Sequence, residues 1–132
     1  MTKNLVILAG GASSRMKKSL GTNSLSKEEL THANTRSKAL LSFGKKNSFS
    51  GRIVTIKCYE DNSLVEEILK TDGSGSVLVI DAGASLKCAM MGDKRASDAI
   101  KNNWEGIIIN GPIRDSAEIN SMDIGIRALG TC

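Results

Sequence analysis

Two dipeptides in the second half of the sequence combine residue types that can bind an anion and a metal ion. Gly92-Asp93 and Arg114-Asp115 are separated by twenty residues, counted between Asp93 and Arg114. A glycine that opens a helix leaves free backbone N–H groups, which suit a carboxylate. Arginine holds an anionic oxygen through its planar fork, and aspartate is a hard oxygen ligand for Mg²⁺. Together these groups predict a site for a 2-oxo acid and for the enolate formed when its C3 bond breaks.

The same dipeptides also have a purely structural interpretation. Asp93 and Asp115 each stand where a helix is expected to begin, and aspartate is a common N-cap. Arg114 can be a surface residue. Spacing alone favours this structural interpretation over the binding site.

The elements that must position these residues alternate between strands and helices. The segments that predict strands share apolar, β-branched runs: "NLVILA", "RIVTIKC", "VLVID", "EGIIIN" and "IGIRALG". Ser63 and Glu66 predict a capping box before the helix "LVEEILK". "GASLKCAMM" is predicted to be a glycine-containing turn that leads into a helical segment of small residues, and "KRASDAIKNN" has apolar positions at helical spacing. This alternation predicts an α/β fold with a largely parallel sheet. Because ligands bind at the carboxyl ends of parallel strands, Asp81 and Gly83 are expected at the same crevice.

Composition narrows the classes of protein that the chain can represent. It has 132 residues, 40% of them hydrophobic, which is enough for one domain with a core. Residues 1–50 carry nine basic and two acidic side chains, but few aromatics accompany them, so a nucleic-acid stacking surface is not favoured. A single histidine, His32, excludes sites that need two, and three cysteines without a C-x-x-C motif suggest reduced thiols. With neither a membrane-length apolar run nor a signal peptide, the expected location is the cytoplasm.

More than half of the chain resembles a known family. The matching segments are "GRIVTIKCYEDNSLVEEIL", "VLVIDAGASLKCAMMGD", "NNWEGIIINGPIRD" and "DIGIRALGT". They resemble the family of the regulator of ribonuclease activity A, abbreviated RraA, which includes 4-hydroxy-4-methyl-2-oxoglutarate aldolases. Aldolases of the family carry Gly-Asp, twenty residues and then Arg-Asp, as this chain does. The resemblance implies an RraA-like sheet with flanking helices over residues 50–132, a domain expected to be incomplete at its C-terminus.

The resemblance also implies roles for individual residues. Backbone amides of Gly92, Asp93, Lys94 and Arg95 would bind the substrate carboxylate, Arg114 would contact the substrate oxygens, and Asp115 would anchor the metal. The metal would be Mg²⁺, with Mn²⁺ as a second choice. The implied reaction is cleavage of a 4-hydroxy-2-oxo dicarboxylic acid to pyruvate, with decarboxylation of oxaloacetate as a further activity. The implied assembly is a homo-oligomer, a trimer or hexamer with sites between subunits.

The chain departs from the family pattern at several positions. Ala82 and Ala84 stand where the family usually has glycine, and Lys94 and Arg95 where it usually has apolar or amide residues. Family members also continue beyond "ALGT" and have an N-terminal portion that is not recognised in this sequence. That portion contributes a catalytic acidic residue across the subunit interface.

The N-terminal segment, residues 1–49, resembles a different family over residues 1–47. "NLVILAGGASSRM" and "NTRSKALLSFGK" are similar to the start of sugar-phosphate or molybdenum-cofactor nucleotidyltransferases. In those enzymes a glycine-rich loop after the first strand holds the nucleotide phosphates, and Gly10, Gly11 and Arg15 match that loop. Lys38, outside the loop, is a weaker candidate for a phosphate-binding lysine. The segment is expected to be a partial domain joined to the RraA-like one, a strand–turn–helix without nucleotide activity.

Three functions therefore remain open from the sequence. The first is a metal-dependent lyase that acts on a small 2-oxo acid. The second is a non-catalytic protein that binds and inhibits a ribonuclease. The third, supported only by residues 1–47, is a nucleotidyltransferase fragment.

Overall fold

The computed structural model describes residues 40–132 in full and, for residues 4–8, the path of the backbone. The strands are β1 (Asn4–Leu8), β2 (Leu41–Phe43), β3 (Ser48–Lys57), β4 (Ser76–Asp81), β5 (Gly106–Ile113) and β6 (Ile126–Thr131). The helices are α1 (Ser63–Leu69), α2 (Asp93–Lys101) and α3 (Ser116–Asn120). The predicted α/β class is confirmed, as are the strand segments quoted above.

One sheet contains all six described strands, in the order β1-β3-β4-β5-β6-β2. The four central strands are parallel, with Ile56 opposite Ile80, Ile80 opposite Ile109, and Ile109 opposite Ala128. The two outer strands, β1 and β2, run antiparallel to their neighbours β3 and β6. Because β3 to β6 are parallel, their carboxyl ends meet at one edge, and the connections to the three helices leave from it.

The core lies between this sheet and the helices. Helix α1 packs beside α2, and α2 packs beside α3. The helices bury Val65, Leu69, Ala96, Ala99 and Ile119 against isoleucine and leucine side chains of the parallel strands. Small alanines on α2 let that helix approach the sheet closely, so its N-terminus has a fixed position at the carboxyl edge.

Trp104 packs in the core, as predicted. The residue is buried, and its indole N–H donates to the carbonyl of Thr71 at 3.2 Å. The backbone of Gly73 lies against the ring, where a Cβ atom would come within 2.1 Å of the indole. The tryptophan therefore fixes the loop between α1 and β4 to the start of β5.

The predicted capping box at Ser63 and Glu66 is wrong. Helix α1 has Asn62 at its N-cap and forms no side-chain cap hydrogen bond. The N–H of Ser63 donates instead to the carboxylate of Asp61 at 2.9 Å. Glu66 forms salt bridges with Lys70 and Arg95, which draw its carboxylate away from the start of its own helix.

In "GASLKCAMM" the predicted turn is present at Gly83, but the helix predicted to follow it is wrong, because residues up to Met90 form turns and bends and Met91 forms a β-bridge. Gly83 and Ala84 have φ values of 65° and 58°, in the left-handed region that a right-handed helix does not use. At the other end of the segment, the N–H of Met90 donates to the carbonyl of Pro112 at 2.9 Å. Backbone pairing with β5 therefore replaces the helical hydrogen bonds that the apolar pattern predicts.

The proposed division into residues 1–49 and 50–132 stays a prediction. Residue 50 lies within β3, which pairs with β1 over Ser48–Arg52 and with β4 from Arg52 onward. The residues matched to a nucleotide loop, Gly10, Gly11 and Arg15, and the candidate phosphate-binding Lys38 lie outside the described residues.

Candidate functional site

The turn between β5 and α3 presents two charged side chains at the carboxyl edge of the sheet. Arg114 directly follows β5, and 64% of its side chain is exposed. Asp115 has φ 55° and ψ 38°, a left-handed conformation that aspartate tolerates better than most residues. This conformation turns the chain into α3 and leaves the carboxylate at the rim, with its side chain 38% exposed.

The loop between β4 and α2 returns to the same turn through backbone pairing. Met91 and Ile113 form an isolated parallel bridge, in which the N–H of Arg114 donates to the carbonyl of Met91 at 3.0 Å. Together with the bond from Met90 to Pro112, this pairing fixes the loop alongside the end of β5. Gly92, the next residue, is therefore held beside Arg114 and Asp115.

The two dipeptides meet at this point. Asp115 Oδ2 accepts a hydrogen bond from the backbone N–H of Asp93 at 3.3 Å, and it lies 3.6 Å from Arg114 Nε. Gly92 provides the space: a Cβ atom there would lie 2.4 Å from Asp115 Oδ2 and 3.0 Å from Arg114 Nε. The structure thus brings Gly92, Asp93, Arg114 and Asp115 into one cluster, although they come from two separate loops.

The expected N-cap roles of the two aspartates need correction. Gly92, not Asp93, is the N-cap of α2, and Asp93 is the first residue of that helix. Asp115 is the N-cap of α3, but its side chain forms no cap hydrogen bond to α3. Its carboxylate accepts from the first turn of α2 instead, where a negative charge is also favoured by the helix dipole. Asp115 therefore connects the start of α3 to the start of α2, and its side chain does not cap α3.

Lys94 and Arg95 direct their side chains to different surroundings. Lys94 is exposed, and its N–H donates to Asp93 Oδ1 at 2.7 Å. Arg95 is half-buried and forms salt bridges with Glu66 on α1 and with Asp98 on its own helix. The guanidinium of Arg95 is thus engaged in the contact between α1 and α2, and only its backbone remains close to the cluster.

Asp81, expected at the same crevice, is held by its own loop. Its Oδ1 accepts from the N–H of Gly83 at 3.0 Å and from Asn110 Nδ2 at 3.2 Å. These hydrogen bonds, that from Gly83 first, lower the pKa of the Asp81 carboxyl below its ordinary value. An Asp two residues before a glycine is a sequence signal for the Asx turn from Asp81 to Gly83. No such signal indicates Asn110, which reaches Asp81 from the neighbouring strand β5.

The cluster offers hard oxygen atoms but not a complete set of protein ligands. Within residues 40–132, no three side chains of His, Cys, Asp or Glu come close enough together to hold a metal ion. Magnesium sites commonly use one or two carboxylates and keep several waters. Asp115 is suited to be such a single carboxylate ligand. Its side chain is partly exposed, and one of its two oxygens is free of the contact with Asp93.

Comparison with known proteins identifies the family to which these features correspond. The model of a family described as RraA-like, Aldolase/RraA, matches residues 22–132. A curated relative from Dechloromonas aromatica, named "Putative 4-hydroxy-4-methyl-2-oxoglutarate aldolase", is 58% identical over 89 residues, which are 67% of this chain and 55% of the relative. A second protein of that name, from Acinetobacter baylyi, is 54% identical over 88 residues, 67% of this chain and 52% of its own length. The chain thus spans about half the length of these relatives.

Two solved structures share the fold. The RNA-processing inhibitor RraA from Thermus thermophilis is 37% identical with a TM-score of 0.70, over 71% of this chain and 57% of its own. A structure described as an S-adenosylmethionine:2-dimethylmenaquinone methyltransferase from Geobacillus kaustophilus is 42% identical with a TM-score of 0.68, over 77% and 69%. Among the residues that the structure describes, no helix is long and apolar enough to cross a membrane.

Proposed function

We propose that this chain, which belongs to the RraA-like family, is a divalent-metal-dependent lyase that cleaves 4-hydroxy-4-methyl-2-oxoglutarate-type acids to pyruvate. The observation that carries the proposal is the cluster itself, in which Asp115 Oδ2 lies 3.3 Å from the N–H of Asp93 and 3.6 Å from Arg114 Nε. The names of the relatives from Dechloromonas and Acinetobacter support the same reaction class. Decarboxylation of oxaloacetate is a second expected activity, because it also leaves an enolate of pyruvate.

The first turn of α2 is suited to the substrate carboxylate. A helix N-terminus has free N–H groups and a partial positive charge. The N–H groups of Asp93 and Lys94 already face aspartate oxygens, whereas no acceptor from residues 40–132 lies against the N–H of Arg95. The substrate carboxylate would bind to this turn, with Gly92 leaving room for it next to Arg114.

Arg114 is suited to the charge that develops during cleavage. When the C3–C4 bond breaks, the C4 hydroxyl releases its proton to solvent and becomes a carbonyl. The electron pair of the broken bond stays on C3 and is delocalised onto the C2 oxygen as an enolate, which then takes up a proton from solvent at C3 to give pyruvate. The guanidinium of Arg114 is exposed and contacts only Asp115 among the described carboxylates, so its terminal N–H groups are available to that oxygen. Asp115 would hold the metal, for which Mg²⁺ or Mn²⁺ fits a hard carboxylate ligand. When bound, the metal supplies Lewis-acid polarisation of the oxo group.

The test is release of pyruvate from 4-hydroxy-4-methyl-2-oxoglutarate and from oxaloacetate, with and without Mg²⁺. We expect activity only with the metal, and its loss in Asp115→Asn, because an amide is a much poorer ligand for Mg²⁺. The fold of that variant should persist, since an Asn side chain can still accept from the N–H of Asp93. Asp123→Asn, an exposed aspartate in the loop before β6, is the matched control and should keep full activity. Full activity of Asp115→Asn would overturn the metal assignment.

A second candidate function is inhibition of a ribonuclease without catalysis. The structural similarity to the RNA-processing inhibitor RraA favours it. An assay of RNA cleavage by a purified ribonuclease, with the chain and with its Asp115→Asn variant, separates the two functions. Equal inhibition by both proteins, in the absence of pyruvate release, would support the inhibitor and exclude the lyase. The expected trimer or hexamer can be tested on the same samples by size-exclusion chromatography with light scattering.

A further inference from the structure

The end of β6 lies beside the cluster, on the side away from α2. Thr131 pairs with Ile113 in the parallel ladder of β5 and β6, and the N–H of Cys132 donates to the carbonyl of Ile113 at 3.0 Å. The same pattern joins β5 to the loop before α2, where Met91 pairs with Ile113 and accepts from the N–H of Arg114. The residues that follow these three paired positions therefore form a row across the carboxyl edge: Gly92, Arg114 and Cys132.

The positions of this row share one side of the sheet. Successive residues of a strand point to opposite faces, so residues in register on neighbouring parallel strands share a face. Met91 and Ile113 are buried in the core, and the next row faces away from it. The geometry at Gly92 agrees, because a Cβ atom there would lie 3.1 Å from Cγ of Arg114. Cys132, exposed and free of disulfide bonds, occupies the far end of the row.

The length of the row matches the length of the proposed substrate. Neighbouring strands are about 4.8 Å apart, so Gly92 and Cys132 are separated by about 10 Å across Arg114. A glutarate skeleton spans about 5 Å between C1 and C5, and its carboxylate oxygens add about 1 Å at each end. With the C1 carboxylate at the first turn of α2 and the C2 oxygen at Arg114, the C4 end of the acid reaches the end of β6.

We propose that Cys132 is a specificity-determining residue that contacts the C4 substituents of the substrate, an inference that rests on the lyase function proposed above. C1 to C3 become pyruvate from either substrate, so the groups on C4 distinguish one acid from the other. In 4-hydroxy-4-methyl-2-oxoglutarate C4 carries a hydroxyl, a methyl and a carboxylate, whereas in oxaloacetate C4 is itself the carboxylate. A cysteine is small and largely apolar, so it leaves room for a branched C4 and packs against its methyl group.

The first test measures binding without catalysis, through alkylation of Cys132 by iodoacetamide. In this reaction the sulfur forms a bond to carbon as iodide leaves, and the thiol proton goes to solvent. 2-Oxoglutarate has the five-carbon chain but no C4 hydroxyl, so it can fill the row and cannot undergo the cleavage. With Mg²⁺ and 2-oxoglutarate at about ten times its Kd, alkylation should slow about tenfold. Pyruvate at the same occupancy ends at C3 and should leave the rate almost unchanged.

The second test adds volume at the end of the row. In Cys132→Leu, kcat/KM for 4-hydroxy-4-methyl-2-oxoglutarate should fall about 10- to 100-fold, whereas kcat/KM for oxaloacetate should change less than about threefold. Ser97→Leu, an exposed position on α2, is the matched control and should leave both values unchanged. Melting temperatures verify that both variants are folded, and the ratio of the two substrates is insensitive to a general loss of active protein.

The outcomes separate this inference from the lyase proposal. The role of Cys132 is wrong if 2-oxoglutarate and pyruvate protect it equally, or if Cys132→Leu affects both substrates to the same extent. It is also wrong if neither acid protects the thiol, whether or not pyruvate is released. A chain that releases no pyruvate, but in which 2-oxoglutarate alone protects Cys132, would contradict the lyase and support the arrangement of the bound acid.

Discussion

Arg95 and Arg114 lie in neighbouring turns of the molecule but differ in how far their charges are already used. Arg95, in the first turn of α2, is half-buried and forms salt bridges with Glu66 and Asp98. Its Nε is buried and has no hydrogen-bond partner within residues 40–132. Arg114, after β5, is 64% exposed, and its single described ionic contact is with Asp115 at 3.6 Å.

This contrast indicates which of the two arginines is suited to bind a ligand. The guanidinium of Arg95 is occupied by the contact between α1 and α2, where its removal leaves Glu66 with one partner fewer. The guanidinium of Arg114 keeps most of its five N–H donors free, at an edge where backbone N–H groups also converge. The guanidinium of Arg95, already paired with carboxylates of the chain, therefore stabilises the fold. The guanidinium of Arg114, with most of its donors free at the surface, is suited to bind an anionic ligand.

Arg114→Ala should give the largest effect on activity. We expect kcat/KM for pyruvate release to fall on the order of 10²–10³-fold, the usual loss when one donor to a developing oxyanion is removed. The melting temperature should stay unchanged, because Arg114 packs against little. Arg52→Ala, an exposed arginine on β3, is the control. If Arg114→Ala lowers stability and leaves catalysis intact, the contrast between the two arginines is reversed.

Gly92→Ala should produce the next largest loss. The backbone at Gly92 has φ −132°, which alanine adopts freely, so the added methyl acts through contact alone. It would meet Asp115 Oδ2 and Arg114 Nε and displace both, and we expect activity to fall on the order of 10- to 100-fold. Gly130→Ala, whose new Cβ would have no neighbour within 4 Å, is the matched control. If Gly92→Ala and Gly130→Ala were equally active, the absence of a side chain at Gly92 would not matter for catalysis.

Arg95→Met tests the other half of the comparison. Methionine keeps much of the apolar stem but removes the contacts with Glu66 and Asp98, so the melting temperature should fall by about 5 °C. Pyruvate release should be retained at temperatures where the variant is folded. Lys101→Met, at the exposed end of the same helix, should melt like the unmodified chain. A catalytic defect in folded Arg95→Met would show that its side chain, and not only its backbone, acts in the site.

Much of the fold could be predicted because its signals are local. The isoleucine- and valine-rich runs of β3, β4 and β5 are characteristic of buried parallel strands. Arg114-Asp115 directly follows β5, and Gly92-Asp93 opens the helix that precedes β5. The short strand β2 could not be recognised, because three residues become a strand only through pairing with β6. The apolar pattern of residues 83–91 also does not show that Met91 pairs with β5, and this long-range pairing excludes a helix there.

The clustering of the two dipeptides was predictable from the sequence, but the contacts within the cluster were not. Residue types and spacing indicated Gly92, Asp93, Arg114 and Asp115. That Asp115 accepts from α2 and not from α3 depends on its left-handed backbone, which the sequence does not encode in a recognisable pattern. The commitment of Arg95 to Glu66 depends on the packing of α1 against α2, which is a contact between distant segments.

Ala84→Gly tests whether strain in the loop before α2 affects the cluster. Ala84 has φ 58°, a conformation that glycine adopts at lower cost, so the variant should gain about 0.5–1 kcal/mol of stability. Its activity should not change, because pairing of Met90 and Met91 with β5 lies between this turn and Gly92. Thermal unfolding and pyruvate release measure the two quantities. A less stable variant would mean that the alanine methyl makes a favourable contact.

Asp81→Asn should give the smallest effect, and one that depends on pH. Hydrogen bonds from Gly83 and Asn110 lower the pKa of Asp81 in the folded chain, so the ionised carboxylate stabilises the fold above its ordinary pKa of 3.8. That contribution is lost as the pH falls through the lowered pKa. Asp81→Asn should therefore melt slightly earlier than the unmodified chain at pH 7, with the difference vanishing in acid. A difference that grows in acid would contradict this sign.

The backbone pairing of Met90 and Met91 with the end of β5 affects which parts of the molecule can evolve independently of the cluster. Main-chain atoms, which every residue supplies, hold the start of α2 next to Arg114. Substitutions at the exposed Leu86 and Lys87 of the preceding loop can therefore accumulate without moving the dipeptides relative to each other. Backbone pairing thus fixes the positions of Gly92 and Arg114, whereas the side chains of the neighbouring loop do not. Specificity can therefore evolve through these side chains while the geometry of the cluster is conserved.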